Sequence, residues 1–379
     1  MKLSKTLKFG LLMLAVLIVI VAVGAVVFLR QYQKEPVYPG PGVTRITTLS
    51  EYYPALEGTA GDTDVYIMDS GEPGATFLVY GGTHGPEISG VMAAFLLVEN
   101  ATVSSGRLIV VPHINESGFT WCEPGQGHPD RIEFTTSDGS VRWFRSGSRA
   151  TNPVHQWPDP EMYIHYPSGQ KLAADEARNF NRNHPGKDNG TLTEMIAYGV
   201  GQLIDKEGVN IVLDQHEAPP EKPLVDAVCA HQNAMDLVTW ASMYLEEEGI
   251  EMRIEASPVN LHGFSHREIG DHHPEVLAIL SETSNTHQGA VHGKITAETA
   301  IEGQDKFYDR LKANGNLAVK WNDFGEPLKY RAGRNLSLIN QLANAYSDLY
   351  PDDPIYLENV PVLGDLMENG IGAYLHPLV

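Results

Sequence analysis

TFLVYGGTHGPEISGVMAAFLLVE, residues 76–99, decides how this chain folds. Thr76 to Tyr80 is a short run of β-branched, aromatic and aliphatic residues closed by two glycines, which reads as a buried strand. The apolar stretch that follows, residues 87–99, is long enough for a helix. Gly81, Gly82 and Gly85 allow a sharp turn between the two, at the carboxyl end of the strand, where open α/β sheets place their ligands. Working outward, further short apolar runs predict strands at 107–112, 210–214, 224–230 and 276–281. Helices are predicted at 191–207, 233–248, 296–321 and 336–348. This alternation indicates a mostly parallel sheet covered by helices, an α/β fold.

The chemistry starts in the same turn. His84 and Glu87, three residues apart, can offer an imidazole nitrogen and a carboxylate oxygen to one metal ion. His-x-x-Glu is common by chance, and a helix-capping loop with a solvated glutamate reads the same spacing equally well. His216 closes a second apolar run, Ile211-Val212-Leu213-Asp214-Gln215-His216. Two histidines and one carboxylate would leave the fourth tetrahedral position of a catalytic zinc open. Asp214 is either an orienter of His216 from behind or a simple strand-end aspartate. Glu282 leaves the 276–281 run, and a carboxylate delivered there suits a general base toward water that the metal acidifies. Asn181 and Arg182, in the polar turn 179–186, suit a substrate carboxylate, since the arginine fork pairs with it and an adjacent asparagine completes the grip.

The order of these pieces resembles the succinylglutamate desuccinylase/aspartoacylase family of the zinc carboxypeptidase clan. Its pattern is Gly-Gly-x-His-Gly-x-Glu, then Asn-Arg, then a strand-end His, then a late Glu. Here these positions are Gly81, Gly82, His84, Gly85 and Glu87, then Asn181 and Arg182, then His216, then Glu282, over roughly residues 60–300. The resemblance implies one Zn2+ per chain held by His84, Glu87 and His216, a substrate carboxylate on Asn181 and Arg182, and Glu282 as catalytic acid/base. It also implies a central mixed, eight-stranded sheet flanked by helices. The segment around the Asn-Arg pair departs from the family, and no arginine stands at the expected short distance upstream to stabilise an oxyanion. Arg178, Arg145 and Arg149 are the candidates, and Arg267 is a further candidate for substrate contact. The glycine-, proline- and aromatic-rich stretch 119–177 reads as a long insertion over the sheet edge. The histidines at 262, 266, 272 and 273 suggest a second metal site only weakly, because Gly263 and Pro274 argue against a regular helix there.

The first residues have separate physics. Lys2, Lys5 and Lys8 precede an apolar run from Gly10 to Leu29 that ends at Arg30 and Lys34. Twenty apolar residues make a helix of about 30 Å, enough to cross the hydrocarbon core. An uncleaved signal anchor is expected, with residues 1–9 cytoplasmic, 30–45 a tether and 46–379 a catalytic part on the far side. A cleaved signal peptide is the competing reading.

A net charge of −21 disfavours nucleic acid and anionic surfaces as partners. With 42% hydrophobic and 20% charged residues the chain can build a sizeable core. Two cysteines, Cys122 and Cys229, exclude a disulfide framework and leave one bridge conceivable. The expected activity is hydrolysis of an amide bond in a carboxylate-bearing substrate, by removal of an acyl group from an N-acyl amino acid. The alternatives are a metallocarboxypeptidase on peptides and an anchored, non-catalytic binding protein.

Overall fold

The computed structural model describes residues 3–123, 128–289, 291–318 and 321–377. Eight strands form one sheet: β1 Arg45–Thr48, β2 Asp64–Asp69, β3 Thr76–Tyr80, β4 Arg107–Val111, β5 Ile211–Ala218, β6 Ala227–Ala230, β7 Arg253–Ala256 and β8 Leu277–Ser284. Their spatial order is β1-β2-β4-β3-β5-β8-β6-β7. The central run β4-β3-β5-β8 is parallel, while β1 on β2, β2 on β4 and β6 on β8 are antiparallel. The sheet is therefore mixed, with its parallel strands in the middle. Those central strands are buried almost throughout because both of their faces are covered.

One face carries α2 (Ile88–Asn100), α4 (Met235–Glu247) and α8 (Leu328–Leu349), which pack with Phe77, Val79, Leu213 and Ile279. The other carries α3 (Leu192–Glu207) and α5 (Ser265–His272), packed on Leu78, Tyr80, Val212 and Ala278. α3 runs as its sequence predicts, because Thr191 and Glu194 form a capping box and Gly208 closes the helix in the left-handed region.

Several boundaries differ from expectation. The predicted helix 296–321 is two short ones, α6 (Ala297–Glu302) and α7 (Lys306–Ala313), with Val319 and Lys320 outside the described residues. Gly303 ends α6 at φ +61, where a Cβ would stand 1.8 Å from the Glu326 carbonyl oxygen. The strand read at 224–230 begins at Ala227, after Asp226 at φ +47. α8 starts eight residues before the predicted 336, directly after Pro327. A regular helix, α5, does form between Gly263 and Pro274, since both residues lie beyond its ends.

α1 (Lys5–Arg30) is the one helix among the described residues long and apolar enough to cross a membrane, and none of its residues is buried. Lys2, on its amino-terminal side, lies outside the described residues. The segment after α1 is held against the fold rather than slack. Glu35 is buried and pairs with Arg145 at 2.5 Å and with His113 at 3.3 Å, while Gly40 donates to the Val98 carbonyl. The 119–177 stretch forms two small hairpins, 131–135 with 141–145 and 163–164 with 171–172; its residues 124–127 are outside the described set. Cys122 and Cys229 are both free thiols.

Candidate metal centre

Three adjacent parallel strands aim at one point. His84 sits in the turn after β3, His216 on β5 and Glu282 on β8, and His216 and Glu282 are register partners. Gly82 makes the turn possible at φ +73, where side chains other than glycine's are strained. His84, Glu87 and His216 are all buried, and one donor atom from each lies within 4.8 Å of the others. No other such group of His, Cys, Asp or Glu occurs among the described residues, so the histidines at 262, 266, 272 and 273 do not assemble a second centre. His262 instead meets Glu268 at 2.8 Å, and His273 meets Asp205 at 3.0 Å.

The donor atoms are arranged for a cation. His84 Nδ1 is 2.8 Å from Glu87 Oε1, and His216 Nδ1 is 2.9 Å from Glu87 Oε2. Each far nitrogen has an oxygen behind it: Asn179 Oδ1 at 2.9 Å from His84 Nε2, and Asp214 Oδ2 at 2.8 Å from His216 Nε2. The Asn179 amide is itself oriented, because its Nδ2 donates to Glu176. Asp214 is fixed by the hydroxyls of Thr83 at 2.7 Å and Ser265 at 2.5 Å. The hydrogen bond to Asn179 sets the tautomer and ring orientation of His84, as the oxygen behind a metal-binding histidine does, while Asp214 meets His216 as an ion pair.

Protonation sharpens the point. Burial, with Arg149 nearby, lowers His84 to about 4, so its imidazole is neutral. A neutral ring whose Nε2–H donates to Asn179 turns the Nδ1 lone pair on the Glu87 carboxylate, an opposition that a cation between them relieves. His216 is buried, yet Asp214 and Glu87 raise it well above its ordinary value, which favours a cationic ring between the two carboxylates. Glu87 is held well below the usual carboxylate range against its burial, by the two histidines. The residues fit a divalent ion with nitrogen and oxygen ligands, the donor type zinc takes.

Glu282 is different. One of its carboxyl oxygens, Oε2, is buried without a hydrogen-bond partner. Burial raises this carboxyl to about 8, with Glu87 and Asp214 pushing the same way and His216 and Arg149 opposing. A carboxyl poised near neutrality beside the cluster can accept and return a proton.

Of the three arginines weighed for an oxyanion, only Arg149 has the cluster among its partners. Its Nη1 is 3.3 Å from His84 Nδ1 and 3.4 Å from Glu87 Oε1, and 42% of its side chain is open to solvent. It is brought there by a short ladder: Gly85 N donates to the Ser148 carbonyl at 2.9 Å and Gly147 N to the Gly85 carbonyl at 3.1 Å. A Cβ on Gly85 would stand 2.5 Å from Gly147 Cα, so glycine is required for this approach. Arg145 is engaged by Glu35 and Glu116, and Arg178 by Asp159 and the Thr151 carbonyl. Arg267 is buried against Asp271. Arg182 lies 4.1 Å over the Phe264 ring with Nη1 on the Asn181 carbonyl, and Asn181 Oδ1 accepts from Ser265 N.

Two cavities flank the cluster. One of about 180 Å³ is mainly apolar, lined by Leu224, Leu261, Phe264 and Leu280 with Asn181 and Glu282 in its wall. The other, about 300 Å³, is of mixed polarity and lined by Arg149, His128, His287 and His292 beside Pro86. Sequence reading missed Asn179 and Glu217. The Glu217 amide donates to Glu87 Oε2 while its carboxylate is held by Arg331 and Asn285. Glu217 sits one residue past His216, where strand alternation points its side chain to the opposite face, and that was the available signal.

No protein-family model and no curated protein matches the chain. Solved structures are similar to it at low identity. The ectoine utilization protein EutE (DoeB) from Ruegeria pomeroyi is 17% identical over 68% of this chain and 66% of its own, with a TM-score of 0.38. An aspartoacylase family protein from Mesorhizobium loti is 18% identical over 76% of this chain and 73% of its own, TM-score 0.38. A metallo-carboxypeptidase from Burkholderia cenocepacia is 12% identical over 82% and 65%, TM-score 0.44. In the first and third of these the chain spans just under two thirds of the other protein's length.

Proposed function

We propose that this chain is a zinc-dependent hydrolase that cleaves an amide bond next to a carboxylate, removing the acyl group from an N-acyl amino acid. The observation that carries the reading is the convergence of His84, Glu87 and His216 beside a glutamate whose Oε2 has no partner. His84, Glu87 and His216 would hold the ion, which when bound would polarise a carbonyl and acidify water. Glu282 takes the proton from the attacking water and passes it to the leaving nitrogen. Arg149, half open to the cleft, binds the oxygen on which negative charge develops. Asn181 and Arg182 face the substrate carboxylate, and the apolar cavity beside them receives an apolar side chain.

A second reading, a metallocarboxypeptidase trimming peptides, is favoured by the cavity of about 300 Å³ at Arg149, which has room for more than a small acyl group. For location, α1 is proposed as an uncleaved anchor, its lysine-bearing end cytoplasmic and the catalytic part on the opposite side.

Elemental analysis of the purified protein and of a His84→Ala, His216→Ala double variant tests the proposal. About one zinc per chain, lost in the variant, is the stoichiometry that a single three-ligand site requires. Failure to take up added zinc would overturn it. Turnover of N-acyl amino acids against peptides of increasing length then separates the two readings.

A further inference from the structure

The contacts between α1 and the fold define where a membrane would meet this protein. α1 ends at Arg30, the first charge after its apolar run, and a charge there settles at the bilayer surface. Arg30 is bound in place: its carbonyl accepts from Arg131 Nη2 at 2.9 Å, and its Nε is 3.5 Å from Asp130. Gln33 Oε1 accepts from the same arginine nitrogen. Tyr32, two residues past the helix end, stacks edge-on with His155 at 5.9 Å between ring centroids, and its hydroxyl is 3.5 Å from His155 Nε2 and from Asn152 Nδ2. The loop carrying Asn152 and His155 therefore lies at the level of the α1 terminus.

That loop displays two large apolar side chains to solvent, Val154 at 72% and Trp157 at 76% exposure. Both stand clear of the fold, and they bracket His155, which touches Tyr32. Tryptophan at this height is what a membrane–water interface stabilises, the ring among headgroups and acyl-chain ends. Lys34 and Glu35, in pairs with Glu116 and Arg145, extend the clamp into the interior, so the fold cannot swing away from the helix on a slack linker.

We propose that the loop 152–157 is a membrane-contacting surface, inserting Val154 and Trp157 into the interface of the bilayer that α1 crosses and holding the cleft at a fixed height above the lipid. This rests on the reading of α1 as an anchor. The occupant is the bilayer rather than a protein partner, because the loop is continuous, through Tyr32 and Arg30, with the helix itself.

The test uses the full-length chain in phosphatidylcholine vesicles carrying a nitroxide either near the headgroup or near the chain end. Tryptophan emission is followed in wild type and in Trp157→Phe, a conservative change at an exposed position. The shallow nitroxide is expected to quench wild type more than the deep one, and Trp157→Phe to lose most of that quenching. A Val154→Asp variant should reduce the quenching of Trp157 without moving the circular dichroism spectrum. Equal quenching of wild type and Trp157→Phe, in protein that floats with the vesicles, overturns the loop contact and leaves the anchor standing. Protein that does not float with the vesicles overturns the anchor and this surface together.

Discussion

His216 and Glu282 are register partners on adjacent parallel strands, so the sheet pleat turns both side chains to one face. A metal-ligand candidate and a proton carrier are thus placed by backbone hydrogen bonding, not by loop conformation. Replacing Glu282 by Gln keeps the shape and removes the base. Hydrolysis should fall by about a hundredfold to ten-thousandfold with zinc content unchanged. Retained turnover would remove Glu282 from the role.

The same residue predicts a pH effect in metal-free protein. Its folded carboxyl lies near 8 and its ordinary value is 4.5. Between these values the folded chain keeps a proton that the unfolded chain has released. The stabilising contribution is therefore present below the ordinary value and is lost as pH rises through the folded one. The melting temperature of metal-free wild type should drop by several degrees relative to Glu282→Gln from about pH 5 to about pH 8. Parallel melting curves for the two proteins would contradict the raised carboxyl.

Asp214 stands 2.8 Å behind His216 and is held by two hydroxyls. Asp214→Asn should weaken zinc binding about tenfold to a hundredfold, measured by competition with a chromophoric chelator. An unchanged affinity would make Asp214 a packing residue.

Arg149→Ala should lower kcat by about a hundredfold to a thousandfold while zinc content stays at the wild-type value. A rise in KM alone, with kcat intact, would reassign this arginine to substrate binding.

Glu35 lies outside the cleft, buried against Arg145 and His113. Glu35→Ala leaves the Arg145 guanidinium buried with fewer partners and should cost about 3–5 kcal/mol in denaturant unfolding. Loss of under 1 kcal/mol, on the order of a surface pair, would show that the segment after α1 is not integral to the fold.

The central strands were legible because Phe77–Tyr80, Leu108–Val111, Ile211–Leu213 and Leu277–Leu280 are buried and so are written as unbroken apolar runs. The edges were not: β1 and β7 are short and largely exposed, and the polar/apolar alternation of Arg253-Ile254-Glu255-Ala256 runs over only four residues. Gly263 and Pro274 read in the sequence as obstacles to a helix and in the structure flank it, a matter of offset that residue type alone does not decide. Within the site, the ligand candidates showed in the sequence because each comes shortly after an unbroken apolar run, Phe77–Tyr80 or Ile211–Leu213. Arg149 did not stand apart from Arg145 and Arg178, because its placement depends on the pairing of Gly85 with residues 147 and 148, which are about sixty residues away in sequence.

That pairing has an outcome for how the protein can vary. The arm that presents Arg149 to the cleft and the turn that aims His84 share two backbone hydrogen bonds and a contact too close for any Cβ. Loosening the arm to admit a bulkier substrate also loosens the turn, so breadth of substrate range and retention of the ion pull against each other. Variants of this chain that broaden in one should be sought with a compensating repair in the other, near Gly118 and Gly147, where the same close approach continues.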